Sequence, residues 1–254
     1  MTARRGITLQ KSPGGRVDLS IEIPPVNVLG VADLEEIARR VEEARGAQVL
    51  VLSGLARAFS AGVEIADHVP QAGPMDRMLG AMRGVLTALV ETPAVTVAAI
   101  AGACLGGGAE IAAACDIVLA AEDARIGWPE IGLACFPPGA AALLPLRVGE
   151  ARAAEWILTG MSFSGAEGQR AGLVTRAVPA AALEAETDEL VRELLSRGPE
   201  ALAAACDLLR RGRRIALRES LPPAEEAYRK LEGNEDLARA VKDFLAGKTP
   251  RLSS

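Results

Sequence analysis

Short apolar runs and amphipathic helical patterns alternate along the first half of the chain. Asp33 to Arg45 and Met75 to Glu91 carry apolar residues at helical spacing, whereas Val49 to Leu52, Val95 to Ile100 and Ile117 to Ala120 are short and mostly apolar. Such runs are typical of strands that are buried on both faces of a parallel sheet. Strands that alternate with helices predict an α/β fold with right-handed crossovers.

The second half of the chain changes character after a last predicted strand at Leu173 to Val178. From Ala181 to Ala246 only helical patterns occur, and Gly-Pro, Pro-Pro and Gly-Asn pairs interrupt them. Glycine and proline commonly mark the ends of helices. We therefore expect an α/β core over residues 1–195 and a helical C-terminal region over residues 196–254, which packs on the core or on a neighbouring subunit.

The composition argues against two classes of function, nucleic-acid binding and membrane insertion. The formal net charge is -5, and the chain holds only two Trp, one Tyr and four Phe. A nucleic-acid-binding protein usually combines a basic excess with aromatic side chains that stack on bases. The most apolar stretch, Pro93 to Ala121, is interrupted by glycines, by Glu110 and by Asp116, so it is a poor membrane span. We expect neither nucleic acid nor a membrane as a partner.

The pattern of cysteine and histidine residues does not indicate a metal centre. The four cysteines are Cys104, Cys115, Cys135 and Cys206. They lie in apolar stretches, and their spacings match no zinc motif. Buried free thiols fit a reducing compartment, and Met1 to Gln10 lacks the apolar core of a signal peptide, so we expect a cytoplasmic protein. Because His68 is the only histidine, we interpret it as a surface residue.

Three segments with glycines follow predicted strands: Ala58 to Ile65, Gly102 to Glu110 and Gly127 to Leu133. The second contains three consecutive glycines, 106–108, between a buried strand and a short Ala-rich helix. Glycine permits positive φ angles and lets a ligand approach the backbone. Free N–H groups at a helix N-terminus favour negative charge. This segment can therefore cradle a phosphate or stabilise an oxyanion.

The residue after the glycines disfavours a phosphate. A phosphate loop places Lys and Ser or Thr there, whereas this chain has Ala109 and Glu110. A carboxylate repels phosphate but suits proton transfer beside an oxyanion. Glycines in Ala-rich stretches also serve close helix packing, and Glu130, which follows Pro129, can serve only the dipole of a helix start. From these residues alone, both interpretations stay open.

Together the three segments resemble the crotonase superfamily, also called the enoyl-CoA hydratase/isomerase superfamily. The resemblance extends from about Gly6 to Arg251 and depends on the order, spacing and identity of its motifs. These motifs are Phe59-Ser60-Ala61-Gly62, Gly106-Gly107-Gly108-Ala109-Glu110, Cys115-Asp116, Pro129-Glu130, Leu158-Thr159-Gly160, Ala171-Gly172-Leu173-Val174, Glu235-Asp236 and Phe244.

The resemblance implies a fold, an assembly and a site. The fold is a spiral of ββα repeats, and the C-terminal helices build a homo-trimer that can stack into a hexamer. The backbone N–H groups of Val63 and Gly107 bind the carbonyl of an acyl-CoA thioester, and Glu110 and Glu130 act as paired acid and base on one water. No cofactor is implied, since coenzyme A is part of the substrate. Further substrate contacts are implied for Ala61, Ile65, Trp128, Pro138, Phe244 and Lys248.

The pair of carboxylates decides the expected activity. Family members that hydrate double bonds usually carry both, whereas isomerases often keep only the later one. We therefore expect hydration of an α,β-unsaturated acyl-CoA, or its reversal, in fatty acid or aromatic degradation. Two alternatives remain: a double-bond isomerase that uses Glu130 alone, and a non-catalytic acyl-CoA-binding oligomer of the same fold.

Two stretches depart from the common hydratase pattern. Residues 24–29 contain no Lys or Arg where the family often has a basic residue for the CoA phosphates, which leaves Arg57, Lys242 and Lys248 as candidates. Between Phe136 and Pro145, a Pro-Pro pair and an apolar run replace the usual Pro-Gly-Ala-Gly-Gly. Both stretches are similar to those of cyclohexa-1,5-diene-1-carbonyl-CoA hydratases, so a cyclic dienoyl-CoA is a candidate substrate. Trp128, which precedes Pro129-Glu130, either forms a wall of the acyl pocket or belongs to the ordinary core.

Overall fold

The structure is a computed structural model, which describes residues 6–68, 73–231 and 233–248. The strands are β1 (Ile7–Lys11), β2 (Arg16–Ile21), β3 (Val28–Leu29), β4 (Val49–Ser53), β5 (Ala58–Ser60), β6 (Gly62–Val63), β7 (Val95–Ile100), β8 (Ala103–Leu105), β9 (Ile117–Ala121), β10 (Arg125–Gly127), β11 (Ser162–Ser164) and β12 (Arg176–Val178). The helices are α1 (Val31–Glu43), α2 (Pro74–Glu91), α3 (Gly107–Ala114), α4 (Pro138–Leu143), α5 (Pro145–Val148), α6 (Glu150–Thr159), α7 (Gly165–Ala171), α8 (Leu183–Leu195), α9 (Pro199–Leu209), α10 (Arg211–Glu219), α11 (Leu221–Arg229) and α12 (Glu235–Leu245). Short 3-10 helices cover Ile65–His68, Pro129–Leu133 and Ala180–Ala182.

The chain winds between two sheets. The larger has the order β1-β2-β4-β7-β9-β12, and the smaller has the order β11-β10-β8-β5, beside a separate β3-β6 pair. The β1–β2 and β10–β11 pairs are antiparallel, whereas the other neighbours run parallel. β4, β5 and α2 form one turn of the spiral, and β7, β8 and α3 form the next. The predicted α/β fold with a spiral of ββα repeats is thereby confirmed.

The central strands are mostly apolar because both of their faces are buried. Along β4, Leu50 and Leu52 face the cluster under α1 and α2. The alternate residues Val49 and Val51 join a second cluster, to which α8 contributes Leu190. Successive side chains of a strand point to opposite faces, so a strand covered on both sides needs apolar residues at every position. The apolar runs of the sequence therefore mark these strands correctly.

Several short strands and one boundary were not predicted. β1 and the two- or three-residue strands of the smaller sheets lack a counterpart in the sequence analysis. The strand expected from Leu173 to Val178 is shorter, since pairing with β9 covers only Arg176–Val178. The N–H groups of Leu173 and Val174 instead donate to the carbonyl of Gly168, at 3.0 and 3.2 Å. These two residues close the C-terminal turn of α7 and do not extend the sheet.

A buried ion cluster, formed by Asp116, Arg210 and Arg213, ties the C-terminal helices to the main sheet. Arg210 is fully buried, and its Nε donates to Asp116 Oδ1 at 2.7 Å. Nη2 of Arg213 donates to the same oxygen at 2.5 Å. Arg210 also donates to the carbonyls of Thr92 and, at 2.6 Å, Ala94, at the start of β7. Burial opposes ionisation of Asp116, but the Arg210 guanidinium holds its pKa below the usual value.

The C-terminal region is helical, as predicted, from α8 to α12. The proposed division into residues 1–195 and 196–254 falls between α8 and α9 and stays a prediction. Residues 249–254 of that region lie outside the described residues. Among the helices of the described ranges, none is both long and apolar enough to cross a membrane.

Replacement of Arg210 by Ala should lower the free energy of unfolding by about 3 kcal/mol, because it leaves the Asp116 carboxylate buried without its main partner. Urea unfolding at neutral pH, followed by circular dichroism, measures the change. The neighbouring Arg211 is exposed, so Arg211→Ala is the matched control. A loss below about 1 kcal/mol in Arg210→Ala, the range of exposed ion pairs, would show that the cluster does not hold the C-terminal region in place.

Candidate active site

The Gly-rich turn places the start of α3 against Glu130. Gly106 caps α3 with φ +53°, a backbone conformation that residues other than glycine rarely adopt. A Cβ atom at this position would also lie 2.8 Å from Oε1 of Glu130. Glu110 follows in the first turn of α3, where its N–H donates to the carbonyl of Gly106 at 3.0 Å. The turn therefore brings the two predicted carboxylates to the same end of α3.

Val63 and Gly107 lie side by side next to this turn. A Cβ atom on Gly107 would approach Cγ1 of Val63 to 2.8 Å and Cε of Met82 to 2.6 Å. Gly107 is the first residue of α3, so its N–H has no partner within the helix. The Glu64 N–H donates to Leu29 in β3, and alternation along the strand turns the Val63 N–H to the other side. The structure thus brings together both residues predicted to bind a carbonyl, although that role stays a prediction.

A buried asparagine that the sequence analysis missed supports the first segment. Asn27 adopts φ +54° and is fully buried. Its Nδ2 donates to the carbonyls of Ala58 and Phe59 in β5, at 3.0 and 2.9 Å, while its Oδ1 accepts from the Ile23 N–H at 2.7 Å. The Ser60 hydroxyl donates to the carbonyl of Asn27 at 2.8 Å. These bonds fix the path of the chain into β6 and therefore the position of the Val63 N–H group.

Glu110 is held at the N-terminus of α4. Its side chain is buried, and Oε1 accepts a hydrogen bond from the Ala140 N–H at 2.8 Å. A Cβ atom on Gly139 would lie 3.0 Å from the same oxygen, so the carboxyl group fits closely against the first turn of α4. Burial raises the pKa of Glu110 to about 7, although the N–H groups of Ala140 and Gly139 favour the ionised form.

Glu130 has weaker backbone support than Glu110, from its own N–H group. It lies in the 3-10 helix Pro129–Leu133, and its Oε2 is buried without a hydrogen-bond partner among the described residues. Burial raises the pKa of Glu130 to about 8, and the nearby charge of Glu110 adds to the rise. Two carboxyl groups that repel each other in a buried site do not both ionise at neutral pH. The pair therefore holds about one proton, which titrates as a shared property of both.

The two carboxyl groups share one small cavity. The residues that line it are Val63, Met78, Leu79, Met82, Arg83, Leu86, Gly107, Glu110, Glu130, Phe136, Pro137, Pro138, Gly139, Leu221, Glu225 and Tyr228. About 30 Å³ is open to the centre of a water molecule, which is room for one or two waters. A cavity with mostly apolar walls and a few converging polar groups is typical of a small-molecule site.

Pro138 is the only one of the six further predicted contacts that lines this cavity. Ala61 and Ile65 are half-buried nearby, in the turn before β6 and in the 3-10 helix after it. Ile65 packs on the apolar cluster that Tyr228 and Leu237 share. Contacts of Ala61 and Ile65 with a substrate stay predictions.

Trp128 belongs to the core, the second of its two interpretations. It is fully buried and does not line the cavity. Its ring stacks on Trp156, with centroids 6.2 Å apart, and is tilted against Phe163 at the same distance. The sequence left both interpretations open, because the neighbours Trp156 and Phe163 lie far from Trp128 along the chain.

The remaining predicted contacts lie on the surface. Phe244 is 49% exposed on α12, and Lys248 is exposed just beyond that helix. Arg57 and Lys242, the other candidates for the CoA phosphates, are exposed as well. Exposure is compatible with a CoA contact but does not test it, so these roles stay predictions. The side chain of His68 lies outside the described part of the structure.

Three residues of α11 line the cavity and were not predicted from the sequence: Leu221, Glu225 and Tyr228. The Tyr228 hydroxyl forms a hydrogen bond with the Cys135 thiol, and its ring packs edge-on against Phe136 with centroids 5.5 Å apart. Leu221, Glu225 and Tyr228 share one face of the helix because they are four and three positions apart. This spacing is a signal in the sequence, but it does not reveal what the face packs against.

The thiols show no sign of a metal centre within the described ranges. All four cysteines are free and buried. No group of three or more His, Cys, Asp and Glu residues in those ranges can hold a metal ion.

Comparisons with known proteins point to one family. Residues 17–252 match the family model described as enoyl-CoA hydratase/isomerase. The chain is 33% identical to a probable enoyl-CoA hydratase of Bacillus subtilis, over 92% of this chain and 93% of the relative. It is 32% identical to the cyclohexa-1,5-dienecarbonyl-CoA hydratase of Thauera aromatica, over 91% and 90%. A crystal structure of an enoyl-CoA hydratase from Mycobacterium avium subsp. paratuberculosis superposes with a TM-score of 0.88 at 28% identity, covering 98% of this chain and 99% of that one.

The raised pKa of Glu130 should make the protein less stable as the pH rises. The folded state keeps a proton that the unfolded chain releases, so the free energy of unfolding falls from the unfolded pKa, near 4.5, up to about 8. Glu130→Gln removes this penalty. The stability of the variant relative to wild type should therefore increase by at least about 1 kcal/mol between pH 5 and pH 8.

Urea unfolding at several pH values between these limits measures that difference. Glu219 is exposed at the end of α10, so Glu219→Gln is the control and should leave the pH dependence unchanged. A Glu130→Gln difference that stays constant with pH would mean that Glu130 ionises in the folded protein much as it does in water.

Proposed function

The chain belongs to the enoyl-CoA hydratase/isomerase family, and from this membership we propose that it adds water to the double bond of an α,β-unsaturated acyl-CoA thioester, or removes it. One observation carries the proposal: Glu110 and Glu130 are buried in a single cavity with pKa values of about 7 and about 8. Such a pair supplies a base and an acid at the same time near neutral pH. The Val63 and Gly107 backbone lies beside it.

The thioester carbonyl gains negative charge as water adds to the double bond. The N–H groups of Val63 and Gly107 are suited to stabilise this charge, and the N-terminus of α3 adds its positive dipole. Loss of one such donor typically lowers kcat by ~10²–10³. Both donors are fixed before the substrate arrives, because α3 and the Asn27 hydrogen bonds hold the backbone around them. Little reorganisation is then needed during the reaction.

The two carboxyl groups divide the proton transfers. Glu110, whose ionised form the α4 N–H groups favour, accepts a proton from water as its oxygen bonds to the β-carbon. The π electrons of the double bond move toward the α-carbon and the carbonyl, and Glu130 gives its proton to the α-carbon. The net result is addition of one water, with one proton moved from Glu130 to Glu110. Return of that proton through solvent or product release restores the pair.

The alternatives fit the site less well. An isomerase that uses Glu130 alone gives no reason to bury a second carboxyl group at Glu110. A non-catalytic acyl-CoA-binding protein gives no reason to bury either. We propose further that no cofactor is needed beyond the coenzyme A of the substrate and that the enzyme acts in the cytoplasm. Assembly into a homo-trimer or hexamer is also proposed, and the exposed Leu208 and Leu209 on α9, 72% and 78% accessible, support it.

A cyclic dienoyl-CoA is the finer proposal for the substrate. The similarity to the Thauera aromatica enzyme supports it, as do the apolar walls near Pro137 and Pro138. Crotonyl-CoA is the straight-chain alternative of comparable size.

Glu110→Gln and Glu130→Gln should each lower kcat for hydration by ~10² or more, because each removes a general acid or base. The loss of enoyl-thioester absorbance, followed with purified variants on the best wild-type substrate, measures the change. Glu219→Gln again serves as the control. Near-wild-type turnover by both cavity variants would exclude the pair from the mechanism.

Direct comparison of crotonyl-CoA with cyclohexa-1,5-diene-1-carbonyl-CoA tests the cyclic proposal. We expect kcat/KM to be at least ~10-fold higher for the cyclic thioester, the size of discrimination that shape differences in an apolar pocket provide. Product analysis distinguishes hydration from migration of the double bond. A strong preference for crotonyl-CoA would contradict the cyclic proposal while leaving the hydratase proposal intact.

A further inference from the structure

A charged residue occupies the wall of the cavity that α11 forms. Glu225 lies between Leu221 and Tyr228 on the face of α11 that lines the cavity, and only 2% of its surface is exposed. A carboxylate is seldom buried in this way without a partner. The mechanism above uses Glu110 and Glu130 and leaves Glu225 without a role.

The partners of Glu225 come from two helices. Oε2 of Glu225 lies 3.4 Å from Nη1 of Arg83 in α2 and 3.7 Å from Nη2 of Arg229 in α11. Nε of Arg229 in turn donates to Oδ1 of Asp76 in α2 at 2.5 Å. Two guanidinium groups and two carboxylates thus form a neutral cluster that joins α11 to α2. Burial raises the pKa of Glu225, whereas the charges of Arg83 and Arg229 oppose the rise.

Arg83 and Glu225 line the same cavity as Glu110 and Glu130. With the carbonyl at Val63 and Gly107, the α- and β-carbons reach the two catalytic carboxyl groups. Atoms beyond the β-carbon then extend toward the rest of the lining, which includes Leu221, Glu225 and Arg83. Arg83 is 45% exposed, so the part of the lining that it forms meets the protein surface.

We propose that the Arg83–Glu225 ion pair closes the acyl end of the cavity and selects short or compact acyl groups over long alkyl chains. This inference rests on the proposed hydratase function and adds the size of the substrate. Arg83 and Glu225 are positioned as specificity-determining residues, since neither is needed for the proton transfers.

The selection follows from the cost of separating or dehydrating charges. A long alkyl chain would have to press methylene groups between the guanidinium and the carboxylate, which removes the attraction and the water that stabilise both. A short chain or a single ring ends before it reaches the pair. An end wall of aliphatic side chains would instead reward each added methylene group. The charge of the wall, and not only its position, therefore limits chain length.

The rate constant kcat/KM for crotonyl-, hexenoyl- and decenoyl-CoA tests the proposal. In wild type, decenoyl-CoA should be at least ~10-fold poorer than crotonyl-CoA, about the effect of one misplaced methylene group. The double variant Arg83→Leu/Glu225→Leu removes both charges together, so that neither is left unpaired, while Arg229 keeps Asp76 as a partner. In this variant the ratio of decenoyl- to crotonyl-CoA should rise by ~10-fold or more.

Glu226 supplies the matched control, because it is the exposed neighbour of Glu225 on α11. Glu226→Leu should leave the ratio of the two substrates unchanged. An unchanged ratio in the double variant would overturn the proposal. If the double variant does not fold, the wild-type profile still decides, since decenoyl-CoA turnover within about 3-fold of crotonyl-CoA is incompatible with a closed end.

A thioester with a terminal carboxylate separates closure from recognition. If wild type hydrates a hexenoyl-CoA that ends in a carboxylate at least ~10-fold better than plain hexenoyl-CoA, Arg83 binds an anion and the closure proposal is wrong. If no enoyl-CoA is hydrated by wild type, the proposed function itself fails, and the size selection fails with it. Activity on crotonyl-CoA with a flat length profile would overturn the size selection alone.

Discussion

Burial of two carboxyl groups in one small cavity is the constraint on which the rest of the site depends. Each group alone resists ionisation in an apolar environment, and the two together repel each other. The two carboxyl groups differ in the hydrogen-bond donors that surround them. Glu110 receives N–H donors from the start of α4, whereas Glu130 receives none from the described residues on Oε2. The environment therefore assigns one group to carry the charge and the other to carry the proton.

Close backbone contact brings the start of α3 together with Val63 and Glu130 beside the cavity. Gly106 leaves room for the Glu130 carboxyl group, and Gly107 leaves room for Val63 and Met82. From the sequence, the glycines were open to two interpretations, tight packing or approach of a ligand. In the structure the turn packs against Val63 and Glu130, and Gly107 also lines the cavity. The two glycines that permit this close packing therefore also form part of the site.

The fold was more predictable from sequence than the lining of the site. β4 and β7 were recognisable because burial on both faces favours apolar residues at successive positions, as in Val49 to Leu52. β5, β6 and β8 are two or three residues long, too short for any periodic pattern. Glu110 and Glu130 were predicted from motifs in which local chemistry and family resemblance coincide, and their catalytic roles stay predictions.

Residues that act through distant contacts escaped the sequence analysis. Asn27 supports β5 across more than thirty positions of chain, and nothing near it in sequence indicates this role. Glu225 appears as one more acidic residue of an amphipathic helix until α2 is placed opposite it. Trp128 had two interpretations until Trp156 and Phe163 supplied its neighbours. In each case the missing information was the identity of the partner, which only the tertiary fold provides.

The C-terminal helices complete the site at both ends of α3, so they are part of the chemistry as well as of the architecture. Arg213 donates to the carbonyls of Ala114 and Cys115, at 2.6 and 3.1 Å, and Arg147 donates to Cys115 at 2.7 Å. Cations at the C-terminus of a helix stabilise its dipole, and the N-terminus of this helix lies at Gly107, which lines the cavity. Meanwhile α11 forms a wall of the cavity through Tyr228. Without the C-terminal helices the core would keep Glu110, Glu130 and Arg147 of α5, but it would lose Arg213 at the C-terminus of α3 and the cavity wall that α11 forms.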